Sequence, residues 1–452
     1  MHPPKSHPDA DNPTTAPAQD AEVFGLPDLR ALVAAEPDVF VLFDGRRAAG
    51  EPSARPDDAG EHLLAVGARR RLTLTEAEGA LDALDAFMAA DDASGWMFCA
   101  LAYDLKNGIE ALQSKRQDPV EFPLLHAVEP RVVIRWGGQL SAPVIAHGAF
   151  EEDAGVWLEA LGQTATTRPH TPLALRPKWD LATYRQRFAR VQRHIQQGDV
   201  YELNLCQEWR ADVGLDDPWG TFVRLVEETR APHSAFVQIG GRLHALCGSP
   251  ERFLRRRENE LLSSPIKGTA PRSADIHEDA AIRDALQNDP KERAENVMIC
   301  DLVRNDLSRV AVPASVEVTE LFGIHSFATV HQMISTVRCE VRPECSLGDI
   351  LRATFPMGSM TGAPKIRAMA LIDEFEGVQR GLYSGTIGVV KPSGDFDFNV
   401  VIRTILHDAD KPVVSVQVGG AITSAAVADQ EYNECLLKAR AMRKVLGDHG
   451  RE

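Results

Sequence analysis

Long apolar runs are missing: no stretch of the 452 residues approaches the roughly 20 that a membrane-spanning helix needs. Cysteine is sparse too. The seven cysteines (Cys99, Cys206, Cys247, Cys300, Cys339, Cys345 and Cys435) are scattered, odd in number and without a CxxC. That excludes a zinc site of the usual spacing and fits a reduced, intracellular protein. Positive charge is in deficit, with 49 Lys and Arg against 65 Asp and Glu and a net charge of −16. The deficit argues against non-specific binding to nucleic acid or to an anionic membrane. It leaves room for a small anionic substrate, because a few cations and a metal reverse the potential inside a pocket. No Walker A sequence, dinucleotide fingerprint or pyridoxal-lysine context is present, so no organic cofactor is expected. Internal repeats are absent as well.

What is there suffices for a globular protein: 44% of residues are hydrophobic and 25% charged. Met1 to Ala21 is rich in Pro, His, Asp and Thr with no apolar core, which reads as a disordered tail and not a signal peptide, with the cytoplasm as the default location. Residues 22–160 form an N-terminal region, 161–178 a linker clearest at Gly162–Pro177, and 179–446 the region that carries the chemistry. Expected strands in the first region are Val39–Phe43, Trp96–Leu105 and Val132–Trp136, with a helix over Leu74–Ala90. Asp180 caps a helix with Leu181, Tyr184, Phe188, Val191 and Ile195 on one face, ended by Gly198. Asn288-Asp289-Pro290 opens a helix over Lys291–Leu307. Further helices are expected near Trp219–Thr229 and Asp429–Leu446. Strands are expected at Val200–Cys206, Ser234–Ile239, Arg242–Cys247, Glu260–Ser264, Gly381–Val390, Phe396–Ile405 and Val413–Val418. The class is α+β, with strands enough for two sheets.

One decapeptide organises the rest. In Ser263-Ser-Pro-Ile-Lys-Gly-Thr-Ala-Pro-Arg272, Lys267 sits between a stiff Pro-Ile and a Gly-Thr where a ligand can approach the main chain. Such a lysine is ordinarily a solvated charge. Glu251, sixteen residues upstream in Ser249-Pro-Glu-Arg-Phe253, changes the reading. A carboxyl and an amine on neighbouring strand ends make an acid and a nucleophile. Glu292 and Glu295 share one helix face, as do Glu431 and Glu434. Either pair alone is a surface feature, and Glu434 with Lys438 has the spacing of an ion pair. Two such helices together suit a hard divalent cation such as Mg²⁺. Arg403 has the fork to clamp a carboxylate, and Gly419-Gly420-Ala421 the open backbone of an anion nest.

Pro265-Ile-Lys-Gly-Thr269, with Ser249-Pro-Glu-Arg-Phe253 before it, resembles the chorismate-utilising enzyme family, and the likeness runs from about Trp179 to Lys438. The resemblance implies a single two-lobed αβ sandwich of two large, facing, mostly antiparallel sheets with the chorismate site between them. It implies Mg²⁺ held directly by Glu295 and Glu434 and through water by Glu292 and Glu431. It places Tyr383 and Arg403 on the enolpyruvyl side and Lys438 near a carboxylate. Gly268, Thr269, Gln332, Gly419, Gly420 and Ser359 line the substrate, with Thr361 a further polar contact. Asp301 to Val310 matches as well, but Arg304-Asn305-Asp306 is read as bracing and left out of the site.

Three departures matter. Many relatives carry histidine where this chain has Gln332, with His331 beside it, so the hydroxyl contact is open between the two. Members that add water carry a lysine where this chain has Glu202, which disfavours water addition. The pattern that binds regulatory tryptophan in some relatives is unclear around Phe43–Arg55, so no tight tryptophan site is expected. Members that make anthranilate carry alanine where this chain has Lys267. A lysine implies attack at C2 with loss of the C4 hydroxyl, protonated by Glu251, then ammonia at C4 expelling the lysine. That lysine must be neutral to attack; burial or a nearby cation lowers its pKa, and the substrate carboxylates oppose this. The implied reaction is Mg²⁺-dependent amination of chorismate to 4-amino-4-deoxychorismate. Anthranilate or isochorismate formation, or a silent chorismate-binding subunit, are the alternatives. Cys247 in Leu246-Cys-Gly-Ser249 lacks the glycine of a nucleophile elbow, so ammonia is expected from a separate glutamine amidotransferase subunit.

Overall fold

The computed structural model describes residues 26–44, 61–90, 93–137, 140, 142–148, 152–166, 168–327 and 329–448. The Met1–Ala21 tail and most of Phe43–Arg55 lie outside them. Two sheets, of eleven and ten strands, carry the fold. Their strand pairings are antiparallel. Among the described residues no helix is long and apolar enough to cross a membrane.

Strand alternation explains the layers. In Val39–Asp44, Phe40 joins a core with Phe98, Ala235 and Leu406, whereas Val39, Val41 and Phe43 join another with Trp219, Phe222 and Phe236. Successive side chains point to opposite faces, so one face packs toward the other sheet and the other toward helices. Burial on both faces is why Met97–Leu101 and Leu125–Glu129 show no polar alternation in their exposure. The helices Leu181–Gln196, Pro218–Thr229, Lys365–Phe375 and Ala428–Val445 cover the eleven-stranded sheet. The N-terminal strands are woven into both sheets: Val39–Asp44 pairs with His233–Ile239, and Met97–Leu101 with Thr386–Val390.

Helix starts follow their side-chain chemistry. Asp180 accepts from the Thr183 N–H, and Asp289 from the N–H groups of Lys291 and Glu292 with Pro290 in the first turn. Four expectations need correction. The Leu74–Ala90 helix is confined to Ala80–Met88, because Leu74 ends the strand Arg70–Leu74. The Trp96–Leu105 strand stops at Leu101, and a 3₁₀ turn takes Tyr103–Gly108. The Gly381–Val390 strand starts only at Thr386, since Gly381 and Ser384 have φ of 58° and 62°. The Phe396–Ile405 run is two strands: Phe396–Asn399 lies in the ten-stranded sheet and Thr404–Asp408 in the eleven-stranded one.

That break matters because the chain changes sheets there, turning at Arg403 (φ 52°). A second crossing lies between Leu243–Ser249 and Arg252–Arg257, at Glu251. The two crossings hold each other: the Val400 N–H donates to the Glu251 carbonyl at 3.0 Å, and the Gly248 N–H to the Arg403 carbonyl at 3.1 Å. Two residues singled out for chemistry thus sit side by side where the sheets exchange chain.

Candidate active site

Lys267 lies in Ile266–Pro271, whose register with Val330–Glu340 slips between Ile266 and Thr269. Gly268 (φ +87°) supplies the turn that the slip requires. A Cβ there would stand 3.1 Å from Glu292 Oε2, so the missing side chain also lets the strand approach the Pro290–Ser308 helix. The Lys267 side chain is 10% exposed, and its Nζ donates to Glu202 Oε1 at 2.7 Å. Burial disfavours its charge, but Glu202, Glu295 and Glu251 outweigh burial and raise its pKa. Of the two opposing influences set against each other in the sequence, the carboxyl groups prevail over burial.

Glu251 is 4% exposed, and burial pushes its pKa up to about 7 against the opposing pull of Ser359 and Lys267. Ser359, in the 3₁₀ turn Gly358–Met360, lies near that carboxyl, yet its Oγ makes no hydrogen bond of normal length. Thr361 is corrected: its hydroxyl bonds the Met357 and Gly358 carbonyls at 3.2 and 3.3 Å, so it closes the turn. Thr269 is exposed, opposite Gln332. Strand alternation separates His331 from Gln332. His331 contacts Asp279 at 3.0 Å and Ser326 at 2.8 Å. Gln332 is 4% exposed, and its Oε1 has no hydrogen-bond partner.

The two glutamate helices meet at Lys291. Its Nζ lies 3.2 Å from Glu431 Oε1 and 3.8 Å from Glu295 Oε1. Burial raises the pKa of Glu292 and Glu431 and takes Glu295 to about 7. Glu434 goes the other way: burial pushes it up, but Lys438 at 2.6 Å outweighs that and holds it below the usual range. Glu295 Oε1 and Glu431 Oε2 are buried without hydrogen-bond partners. Among the described residues no three acidic, His or Cys side chains already converge as a closed metal shell. An all-oxygen, anionic set with orphaned oxygens fits a Mg²⁺ ion that keeps other ligands from water and substrate.

Gly419 and Gly420 lie inside Val413–Ile422, paired with Cys206 and Leu205. Successive amides of a paired strand alternate sides, so the expected nest is not formed. The glycines make room instead. A Cβ on Gly420 would be 2.9 Å from Glu431 Oε2, and one on Gly419 would collide with Cys206 Sγ and the Leu205 carbonyl. Lys438 donates to the Gly419 carbonyl at 2.9 Å and pairs with Glu434. Arg403 donates to the Lys438 carbonyl at 3.3 Å, and no carboxylate pairs with it among the described residues. Burial lowers its pKa while Tyr383 and Glu434 act against that, which puts all three in one neighbourhood. Tyr383 is buried, its hydroxyl 3.6 Å from Cys206 Sγ. As expected of a brace, Asp306 is held by Lys365 and not by the site.

The sequence reading passed over two groups that the fold brings in. Glu202 was noticed for replacing a lysine, which was its only signal; Lys291 had none beyond adjacency to Glu292.

The "chorismate binding enzyme" family model matches residues 44–444. "Aminodeoxychorismate synthase component 1" of Klebsiella aerogenes is 41% identical over 281 residues, 62% of this chain and 61% of that protein. The chain thus spans less than two thirds of that relative's length. The protein of the same name from Bacillus subtilis is 32% identical over 368 residues, 78% of this chain and 77% of that one. The crystal structure of anthranilate synthase component I from Streptococcus pneumoniae superposes with a TM-score of 0.74 at 25% identity, covering 87% of this chain and 94% of that one. Two facing antiparallel sheets, a buried acid at one of their crossings with a buried lysine in the same site, and a match over most of the chain lead to one assignment: the chain belongs to the chorismate binding enzyme family.

Proposed function

We propose that this chain aminates chorismate to 4-amino-4-deoxychorismate, the branch toward p-aminobenzoate and folate, in the cytoplasm. Ammonia comes from a separate glutamine amidotransferase subunit. The observation that carries the reading is the Lys267–Glu251 pair, an amine and a buried acid of pKa about 7 in one site. A carboxyl of that pKa is about half protonated near neutrality, where an ordinary glutamate is almost wholly ionised, and can donate to a departing hydroxyl. Lys267 bonds to C2 as the C4 hydroxyl leaves with the Glu251 proton; ammonia then bonds to C4 and the lysine departs. Two displacements replace one difficult one.

Arg403, without a carboxylate partner, takes the enolpyruvyl carboxylate with Tyr383 beside it. The Gln332 Oε1 accepts from a substrate hydroxyl. Mg²⁺, held by Glu295 and Glu434 with Glu292 and Glu431 behind water, would neutralise the ring carboxylate in an otherwise anionic pocket. The test is mass spectrometry of products from chorismate, Mg²⁺ and ammonium. The aminated product is expected; anthranilate or isochorismate as the main product rejects the reading. Intact-protein mass measurement without ammonia should show an adduct that Lys267→Ala lacks.

A further inference from the structure

Glu202 opens the strand Glu202–Ala211 and is wholly buried. Its position is fixed by backbone contacts. The Tyr201 N–H donates to the Ala363 carbonyl at 2.7 Å, and Gly362-Ala363 pairs with Leu203 and Glu202. Gly362 (φ +147°) comes so close that a Cβ would lie 2.2 Å from the Glu202 carbonyl oxygen, a placement only glycine permits. From there Oε1 reaches Lys267 Nζ at 2.7 Å, the one hydrogen bond that amine makes among the described residues, while Oε2 has no partner.

We propose that Glu202 is a catalytic residue: its carboxylate takes the proton from the Lys267 ammonium as that nitrogen attacks, and returns it when the lysine leaves. The inference rests on the covalent route set out above. A charged ammonium has no lone pair, so it must lose a proton at the moment of attack, and the acceptor must be within hydrogen-bond reach. Glu202 meets that condition. Glu251 does not serve, because its proton goes to the hydroxyl. Transfer within the pair also turns two buried charges into two neutral groups, which burial favours although the surrounding carboxyl groups hold the resting amine charged. The unpartnered Oε2 faces no donor that would oppose protonation.

The protons balance over the cycle. Lys267 passes one to Glu202 and forms the C2–N bond; both ring double bonds shift around the diene toward C4, the C4–O bond breaks, and water leaves with the Glu251 proton. Ammonia then bonds to C4, both double bonds shift back and the C2–N electron pair returns to Lys267. Glu202 gives its proton back to the lysine, and the new C4 ammonium gives one to Glu251. The net change is chorismate and ammonia to the aminated product and water, with every side chain restored.

The test is rapid-quench measurement of adduct and product on the full chain with chorismate, Mg²⁺ and ammonium, between about pH 6 and 9. Wild type is compared with Glu202→Gln, Glu202→Asp and Lys267→Ala. Glu202→Gln should lose about 100-fold or more in the single-turnover rate, with KM for chorismate within about 3-fold. Its rate as a fraction of the wild-type rate should climb about tenfold per pH unit as solvent takes over deprotonation, since loss of the Glu251 proton above about pH 7 slows both enzymes alike. Glu202→Asp, which keeps a base, should hold a constant fraction of the wild-type rate across the range. If Glu202→Gln is unfolded by circular dichroism, the Glu202→Asp profile decides by the same criterion. A Glu202→Gln enzyme as fast as wild type, or changed only in KM at every pH, overturns the proposal. Should Lys267→Ala keep the wild-type rate, the covalent route fails, and this role with it. An inactive Lys267→Ala beside a fully active Glu202→Gln rejects the role of Glu202 alone.

Discussion

Two buried ion pairs flank the strand Glu202–Ala211, and they differ in completeness. Arg380, 1% exposed, donates to both Glu376 oxygens at 2.8 and 2.7 Å, to the carbonyls of Met360 at 2.6 Å and Asn204 at 3.1 Å, and to Ser384 Oγ at 3.3 Å. Glu376 also accepts from the Cys206 N–H at 2.8 Å. On the other side, Lys267 makes one bond to Glu202, and orphaned oxygens remain on Glu202, Gln332, Glu295 and Glu431. Both regions bury opposite charges. The first has used its hydrogen-bonding capacity to tie the strand to the Met360 turn; the second has left its capacity open on four acceptor oxygens that surround one amine and the glutamate helices. A saturated buried network is a brace, and an unsaturated one is a place for a ligand.

Mutation should separate the two roles. Lys267→Ala should lower chorismate amination on the order of 10⁴-fold or more. Stability should change by less than about 2 kcal/mol, because one hydrogen bond is lost where Arg380 makes five. Steady-state assays and urea melts of the same preparation check both halves. Arg380→Met should do the opposite, costing about 3–5 kcal/mol by leaving Glu376 buried without its partner. A wild-type urea midpoint for Arg380→Met would erase the contrast.

Neighbouring glycines sharpen it further. Gly419→Ala drives a Cβ into the Leu205 carbonyl and Cys206 Sγ, and backbone cannot move aside cheaply, so a loss of about 1–3 kcal/mol is expected in the melt. Gly420→Ala meets the flexible end of Glu431, so the fold should tolerate it. Its effect should be about a tenfold rise in the Mg²⁺ concentration for half-maximal activity, measured by metal titration.

The local parts of this structure were legible in the sequence. Asp180 and Asp289 cap their helices because a short carboxylate answers the orphan amides of the next residues, a purely local matter. The glutamate pairs, too, follow from spacing. What could not be read is where the chain changes sheets. Phe396–Ile405 has continuous strand character because both halves are buried strands; the apolar Val400-Val-Ile402 and Arg403, with its positive φ, form the turn that divides them. Nor could spacing reveal that Glu202 meets Lys267, 65 residues away, since that contact depends on Gly362 packing against the strand. The sign of the lysine pKa shift was open in the sequence for the same reason: it is set by carboxylates from other strands and helices.

The two regions should also answer differently to pH. Burial, opposed by Ser359 and Lys267, raises Glu251 to about 7, above its ordinary 4.5. A group raised on folding binds its proton more tightly in the folded state. Its contribution to stability is therefore full below about pH 4.5 and is lost as pH rises through 7. Glu251→Gln, which never ionises, should melt like wild type near pH 5 and become the more stable of the two by up to about 3 kcal/mol near pH 8. Glu376→Gln should weaken the fold at both pH values, since the Arg380 charge loses its counterpart whatever the proton concentration. If both variants showed the same pH dependence, Glu251 would belong with the saturated brace and not with the open site. A gain confined to Glu251→Gln above neutrality would mean that this carboxyl is buried at a cost to the fold, which is what a proton donor held for a departing hydroxyl requires.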